Sequence, residues 1–342
     1  MSFARTPLQQ AGDIFKEYAL YFVLVILLAV IIFEDSSFLS ITNLSNILTQ
    51  SSVRMIIALG VAGVIVTRGT DLSVGRQVGL AAVVAATMLQ AVDNVNKVFP
   101  EMGVMPIPLV ILLVCAIGAV IGLINGLIVA VLNVTPFIAT LGTMLIAYGI
   151  NSLYYDAVGS APVAGFDSAF RSFTQGYFSI PIGDAKFRLS YITIYALIAI
   201  VFTWVLWNKT RFGKNLFAIG GNPEAAAVSG VNVTLNLIGV YVLSGIFYAF
   251  GGMLEAGRIG SATNNLGFMY EMDAIAACVI GGVSFSGGVG TVAGVVMGVI
   301  IFQLLNYGLS YIGVNPYWQY IIKGAIIVLA VAMDSMKNAR KK

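Results

Sequence analysis

Long apolar blocks separated by short polar breaks run through the whole chain. No charged residue interrupts 18–33, 106–132, 191–207 or 235–254. Each block comes near the roughly 20 residues that a helix needs to cross a bilayer. Backbone groups in lipid must be satisfied within the segment, and the short alternating strands of a membrane barrel are missing, so the blocks are read as helices. The pattern predicts an all-α, polytopic membrane protein of about ten transmembrane helices, near 18–33, 53–67, 74–92, 106–132, 136–153, 190–207, 235–252, 273–285, 289–311 and 318–333. The second and eighth hold only about 11 to 15 residues before a glycine-rich break, too few for a simple span, and are expected to be half-helices or re-entrant segments. Eight or nine full crossings fit the same pattern.

Composition agrees. Of 342 residues, 59% are hydrophobic and 10% charged, with a mean hydropathy of +0.94. A soluble domain carries about 25% charge. The absence of histidine excludes imidazole ligation and imidazole acid-base chemistry. Cys115 and Cys278 each sit inside an apolar block and are read as small core residues, not as a disulfide or a thiolate site. No catalytic residue, metal, cofactor or nucleic-acid partner is expected.

Charge sets the orientation. Arg5 and Lys16 precede the first block, Lys337, Arg340, Lys341 and Lys342 follow the last, and Lys209, Arg211 and Lys214 crowd the middle of the chain. The positive-inside rule places all three groups in the cytoplasm. Glu34 and Asp35, and the loop in which Asp156, Asp167 and Asp184 balance Arg171, Lys186 and Arg188, are placed outside. The expected organisation is a cytoplasmic leader (1–17), a permease domain (18–333) with an outer loop (154–189) and a cytoplasmic segment (208–234), and a basic tail (334–342). The leader lacks a cleavage site, so the first span is expected to be retained. Leu8, Ala11, Phe15 and Tyr18 fall at helical spacing, which suits a helix on the membrane surface or one packed on the first span.

Two breaks resemble each other. Gly69-Thr70-Asp71-Leu72-Ser73-Val74-Gly75 and Gly282-Val283-Ser284-Phe285-Ser286-Gly287-Gly288 both fit G-x-(D/S)-(L/F)-S-x-G. Irregular backbone at membrane depth is tolerated where it is buried or lines a cavity. Asp71, Ser73, Ser284 and Ser286 are therefore candidates to line a path. Asp71 has a structural reading as well, as a helix cap or a partner of Arg68 or Arg76. Lys323 inside the last span poses the same choice, with snorkelling to an interface as the alternative. Gly118, Gly122 and Gly126 repeat every four residues beside Asn125 and read as a helix-packing stripe.

The most specific local feature is Gly220-Gly221-Asn222-Pro223-Glu224-Ala225-Ala226-Ala227-Val228-Ser229-Gly230. Asn222 suits an N-cap, Pro223 the first helical position and Glu224 the positive end of the dipole, while Gly230 suits the stop. The run specifies a two-turn helix outside the membrane, too short to stand alone. It is either an ordinary loop helix or a rigid peg that docks in a partner's groove.

Glu224, Ala225, Ala226 and Gly230 resemble the E-A-A-x-x-x-G loop of importer permeases driven by ATP-binding-cassette ATPases. The Gly69–Gly75 run resembles the G-I-D-L-S-V-G motif of the ribose/galactose/xylose permease family, with Thr70 in place of isoleucine. Thr135-Pro136-Phe137-Ile138-Ala139-Thr140-Leu141-Gly142 and Tyr270-Glu271-Met272-Asp273-Ala274-Ile275-Ala276-Ala277, followed by Gly281-Gly282, match the same family. Ser45-Asn46-Ile47-Leu48-Thr49-Gln50-Ser51-Ser52-Val53-Arg54 and Asn315-Pro316-Tyr317-Trp318-Gln319-Tyr320-Ile321-Ile322-Lys323 are similar to its galactoside-importing members. The resemblance implies a permease of the bacterial inner membrane with both termini cytoplasmic, moving a monosaccharide, galactose or a methyl-galactoside, by alternating access. It implies a homodimer, ATPase subunits docked on Asn222, Pro223, Glu224, Ala225, Ala226 and Gly230, and a periplasmic sugar-binding protein. The chain itself has no G-x-x-x-x-G-K-(S/T) loop, and its outer loop is too short for a folded domain of about 50 residues. An ion-coupled secondary sugar transporter, with Asp71 as the ion site, is the rival reading. A membrane-embedded enzyme would need clustered acids or histidines.

Overall fold

The computed structural model describes residues 23–183 and 185–339. The expected leader with Arg5, Lys16 and its surface-helix positions, the start of the first span (18–22), Asp184, and Arg340, Lys341 and Lys342 lie outside the described residues.

In chain order the helices are α1 (Val23–Glu34), α2 (Ile41–Val66), α3 (Val74–Met88), α4 (Ile107–Ala130), α5 (Pro136–Ala157), α6 (Ser168–Gln175) and α7 (Tyr191–Lys209). They continue as α8 (Arg211–Gly221), α9 (Pro223–Val228), α10 (Val233–Ile259), α11 (Tyr270–Ile280), α12 (Val292–Tyr311) and α13 (Pro316–Ala339). Helices α2, α4, α5, α7, α10, α12 and α13 are long and apolar enough to cross a membrane. The shorter α1, α3 and α11 complete the ten expected segments. Two small antiparallel pairs qualify the all-α expectation: β1 (Val163–Ala164) with β4 (Ser261–Ala262), and the hairpin of β2 (Tyr177–Ile182) with β3 (Ala185–Ser190).

The second span departs from expectation. It is a full helix of 26 residues that starts at Ile41, not a half-helix. Its first half looked too polar because hydropathy assumes contact with lipid. In its most apolar 18 residues 83% are buried inside the protein, and Asn43, Ser45, Ser51 and Ser52 of its polar half are buried as well. Ser45, Thr49 and Ser52 donate to the carbonyls of Ile41, Ser45 and Leu48 at 3.0, 2.9 and 2.7 Å, which satisfies their hydroxyls within the helix. Helix α2 is thus the central post of the bundle.

The eighth segment is short as expected, 11 residues in α11, and the break at Gly69–Ser73 leaves α3 with 15. Against α10 the glycine stripe of α4 does what its spacing predicts. A Cβ on Gly118 would meet the Gly245 carbonyl oxygen at 2.1 Å, and one on Gly122 would meet that of Tyr241 at 2.2 Å. The two backbones touch, as small residues permit in lipid. Cys115 and Cys278 are both free thiols.

The bundle has two distinguishable ends. Helices α8 and α9 stand at one, and the β2–β3 hairpin at the other, where the Arg188 amide donates to Ser45 Oγ at 3.1 Å. At the hairpin end Asp35 caps a 3₁₀ turn (Ser36–Leu39). The hydroxyl and amide of Ser37 hold its carboxyl below the usual carboxylate range, and Ser37 Oγ also bonds Tyr311 Oη at 2.6 Å.

Candidate functional site

The exposed helix forms as its sequence dictates. Asn222 Oδ1 accepts from the Ala225 amide at 3.0 Å, Pro223 opens α9 and Glu224 sits in its first turn. Its end closes on the left-handed Gly230 (φ 84°), with the Val231 amide donating to Ala226 O at 3.0 Å. At six residues the helix is shorter than the expected two turns. Ala226 alone of its residues is buried, while Glu224, Ala225 and Ala227 are exposed and Val228 is 91% exposed. The capped turn thus presents one apolar side chain, Val228, outward from the protein.

Its base is anchored to both breaks. Arg68, itself left-handed (φ 64°), donates from Nε to Gly220 O at 2.6 Å and from Nη2 to Gly221 O, the two carbonyls just before Asn222. The Gly288 amide donates to Val66 O at 2.8 Å. A Cβ on Gly220 would lie 1.8 Å from Val66 O and 2.4 Å from the Gly288 amide nitrogen, so only glycine lets the three segments meet. From the second break, Ser284 Oγ and the Phe285 amide both donate to Asp334 Oδ2 on α13 at 3.0 Å. The ends of α2, α8 and α11 and the far part of α13 therefore converge on one backbone junction beneath α9.

The four path candidates fall into two pairs. Asp71 and Ser73 are buried and bonded to each other: Asp71 Oδ1 accepts from the Ser73 amide at 2.9 Å and from its hydroxyl. Ser73 Oγ accepts from Gln77 at 2.8 Å and Asn125 at 3.0 Å, and Thr143 Oγ1 donates to Asn125 Oδ1 at 2.6 Å. This network joins the first break to α3, α4 and α5. Asp71 pairs with neither nearby arginine, because Arg68 is turned to Gly220 and Arg76 lies over the Tyr148 ring at 4.1 Å. Ser284 is buried and accepts from the Ser286 amide at 3.1 Å, while Ser286 is exposed.

One polar site was not among the candidates. A cavity of about 430 Å³ opens between α2, α11, α12 and α13, and a second of about 260 Å³ lies against the hairpin. Gln50 lines both. At the base of the larger one, Lys323 Nζ bonds Asp273 Oδ1 and Oδ2 at 3.1 and 3.3 Å, and Arg54 reaches Asp273 Oδ2 at 3.5 Å. Lys323 is thus held by an ion pair and does not snorkel, since pairing offsets the cost of burial. Arg54 also covers the Tyr270 ring, whose hydroxyl donates to Glu255 Oε1 at 2.6 Å; Glu255 in turn holds Arg258, which lines the smaller cavity. The signal was in the sequence. Asn46, Gln50 and Arg54 recur every four residues, Gln303, Asn306 and Ser310 follow at three and four, and Gln319 and Lys323 are four apart. Each is a polar stripe on one helix face. Block hydropathy averages such stripes away.

Among the described residues no three of His, Cys, Asp or Glu converge to hold a metal.

Comparison with known proteins fits these features. Residues 43–331 match the family described as branched-chain amino acid transport system / permease component. The galactose/methyl galactoside import permease protein MglC of Escherichia coli K12 is 78% identical over 327 residues, 96% of each chain. That of Haemophilus influenzae is 72% identical, over 96% of this chain and 97% of its own. The ribose import permease protein RbsC of Bacillus subtilis is 39% identical over 93% and 91%. No solved structure matches.

Proposed function

The chain belongs to the branched-chain amino acid transport system / permease component family, and from that premise we propose that it carries galactose or a methyl galactoside across the bacterial inner membrane by alternating access. It is the permease subunit of an ATP-binding-cassette importer, a transport component and not an enzyme. Separate ATPase subunits and a periplasmic binding protein serve such a permease. The ion-coupled alternative falls with that membership. The observation that carries the substrate is the 78% identity to a galactose/methyl galactoside permease across 96% of both chains.

In this reading two copies form a homodimer, the α9 end is cytoplasmic and both termini lie on that side. Lys209, Arg211 and Lys214 beside α9 support the orientation. Segment 208–234 is the coupling segment, with Asn222, Pro223, Glu224, Ala225, Ala226 and Gly230 shaping the peg that seats in the ATPase. Loop 154–189 is periplasmic, and 334–342 forms a cytoplasmic tail that α13 enters without a break. Asp71, Ser73, Ser284 and Ser286 belong to the inner part of the path, where movement of α9 would part the junction. No bond is made or broken in the permease. The path needs only weak, replaceable hydrogen bonds, because the binding protein has already selected the sugar and a tight site would retain it.

In cells lacking other galactose importers, this permease with its ATPase and binding protein is expected to take up labelled galactose. Uptake should persist with an ionophore that collapses ion gradients and vanish without the ATPase. Uptake that survives ATPase loss and fails with the ionophore would refute the reading.

A further inference from the structure

The larger cavity lies on the opposite side of α2's midpoint from the junction beneath α9, with the ion cluster at its base. The cavity is polar although it lies among membrane helices, and its volume falls in the range of small-molecule sites, about 300–1,000 Å³. Asn306 offers an amide that both donates and accepts, while Gln50 and Gln319, held by Gln303, Val314 and Ser310, keep their remaining hydrogen-bonding capacity toward the cavity. Tyr307 and Tyr311 add ring surface, stacked 6.2 Å apart. Amides beside aromatic surface suit a neutral polyol, which presents hydroxyls at its edge and C–H groups on its face.

The cavity ends at mid-depth. Arg54 is 12 residues from the end of α2 at Val66, about 18 Å of helix. There Asp273 is shared between Arg54 on α2 and Lys323 on α13. All three of these residues line the cavity, so the cluster is open to whatever occupies it. Moreover, the helices that carry them meet again at the far end: Val66 O takes the Gly288 amide, and Asp334 takes Ser284 and Phe285. Arg68 fastens that junction to the base of α9. A displacement of α9 therefore reaches α2, α11 and α13, the three helices that carry Arg54, Asp273 and Lys323.

We propose that this cavity is a transit site for a neutral monosaccharide and that the Arg54–Asp273–Lys323 cluster is the gate at its floor. The inference rests on the importer reading and adds to it a place and a closure. The shared carboxylate bridges the helices while the floor is shut. When α9 moves, the bridge parts and the sugar passes.

A gate predicts a gain of function on removal, which a purely structural ion pair does not. The permease with its ATPase subunits is reconstituted into vesicles loaded with labelled galactose and a labelled disaccharide, without ATP or binding protein. Combining Asp273→Ala with Lys323→Ala is expected to release galactose at least ~10-fold faster than the wild type while the disaccharide is retained. Adding Asn306→Leu is expected to slow that leak several-fold. If the alanine pair fails to assemble, Asp273→Asn with Lys323→Met keeps the volumes and serves the same test. A monodisperse variant with no leak beyond wild type would overturn the gate, and a leak indifferent to Asn306→Leu would overturn the transit site. Loss of ATP-driven uptake in the wild type would instead defeat the importer reading, and the leak would still report on the passage.

Discussion

Permease carrying Arg68→Ala is expected to insert and to retain its ATPase, yet to import sugar at least ~10-fold more slowly while ATP hydrolysis continues. Arg68 is the side chain that ties the base of α9 to the end of α2, through the carbonyls of Gly220 and Gly221. Hydrogen bonds from a charged donor contribute about 1.5–3 kcal/mol each. Arg68 is exposed, so water screens these bonds, and removing both weakens the junction by about 1.4 kcal/mol, which changes an equilibrium tenfold. The outer face of α9, proposed to dock the ATPase, is untouched, since Glu224 and Val228 are exposed away from Arg68's bonds. What is lost is transmission, so hydrolysis and transport should separate. Lysine at this position has a single charged head and cannot reproduce the fork, so Arg68→Lys should fall between the two. Parallel assays of ATPase rate and uptake in vesicles check the separation. Equal uptake by Arg68→Ala and wild type would show that α9 acts on the bundle by another route.

Asp71→Asn is expected to lower uptake by about tenfold, equivalent to about 1.4 kcal/mol, with the protein still assembled. The amide keeps an oxygen where Oδ1 accepts from the amide and hydroxyl of Ser73, so the turn that opens α3 survives. The charge disappears. The buried carboxyl faces the hydroxyls of Tyr241 and Tyr248, and no cation pairs with it among the described residues. A buried carboxylate with no cation beside it is costly even when Ser73 donates to it twice, and its retention argues for use in another state of the transport cycle. Uptake at the wild-type level would assign Asp71 to holding the break and nothing more. Asp71→Leu is the harsher comparison: it strips the network of Ser73, Gln77 and Asn125 of its acceptor and should prevent assembly.

Local features were legible in the sequence. The α9 cap, its proline and its glycine stop are all short-range chemistry, and the structure has them at the residues expected. The stripe at Gly118, Gly122 and Gly126 could be read from its spacing, although its partner Gly245 could not. Failures came where a residue's partner is distant or where lipid was the wrong reference. Arg68 finds its acceptors about 150 residues away and Lys323 its carboxylate 50 residues away. The start of α2 was missed because Asn43, Ser45, Ser51 and Ser52 face protein and pay no cost of entering lipid. The polar cavity was missed for the same reason, its stripes being diluted by the apolar faces of the same helices.

Delivery of ATP hydrolysis through α9 is tested most directly by affinity purification of the tagged permease from membranes. Wild type is expected to bring down its ATPase in stoichiometric amount. A copy with Glu224→Arg and Gly230→Val, the second forcing a β-branched residue to φ 84°, should purify intact and bring down none. Retention of the ATPase by that variant, or a wild-type permease that purifies alone and still moves sugar, would show that α9 is not the point of delivery.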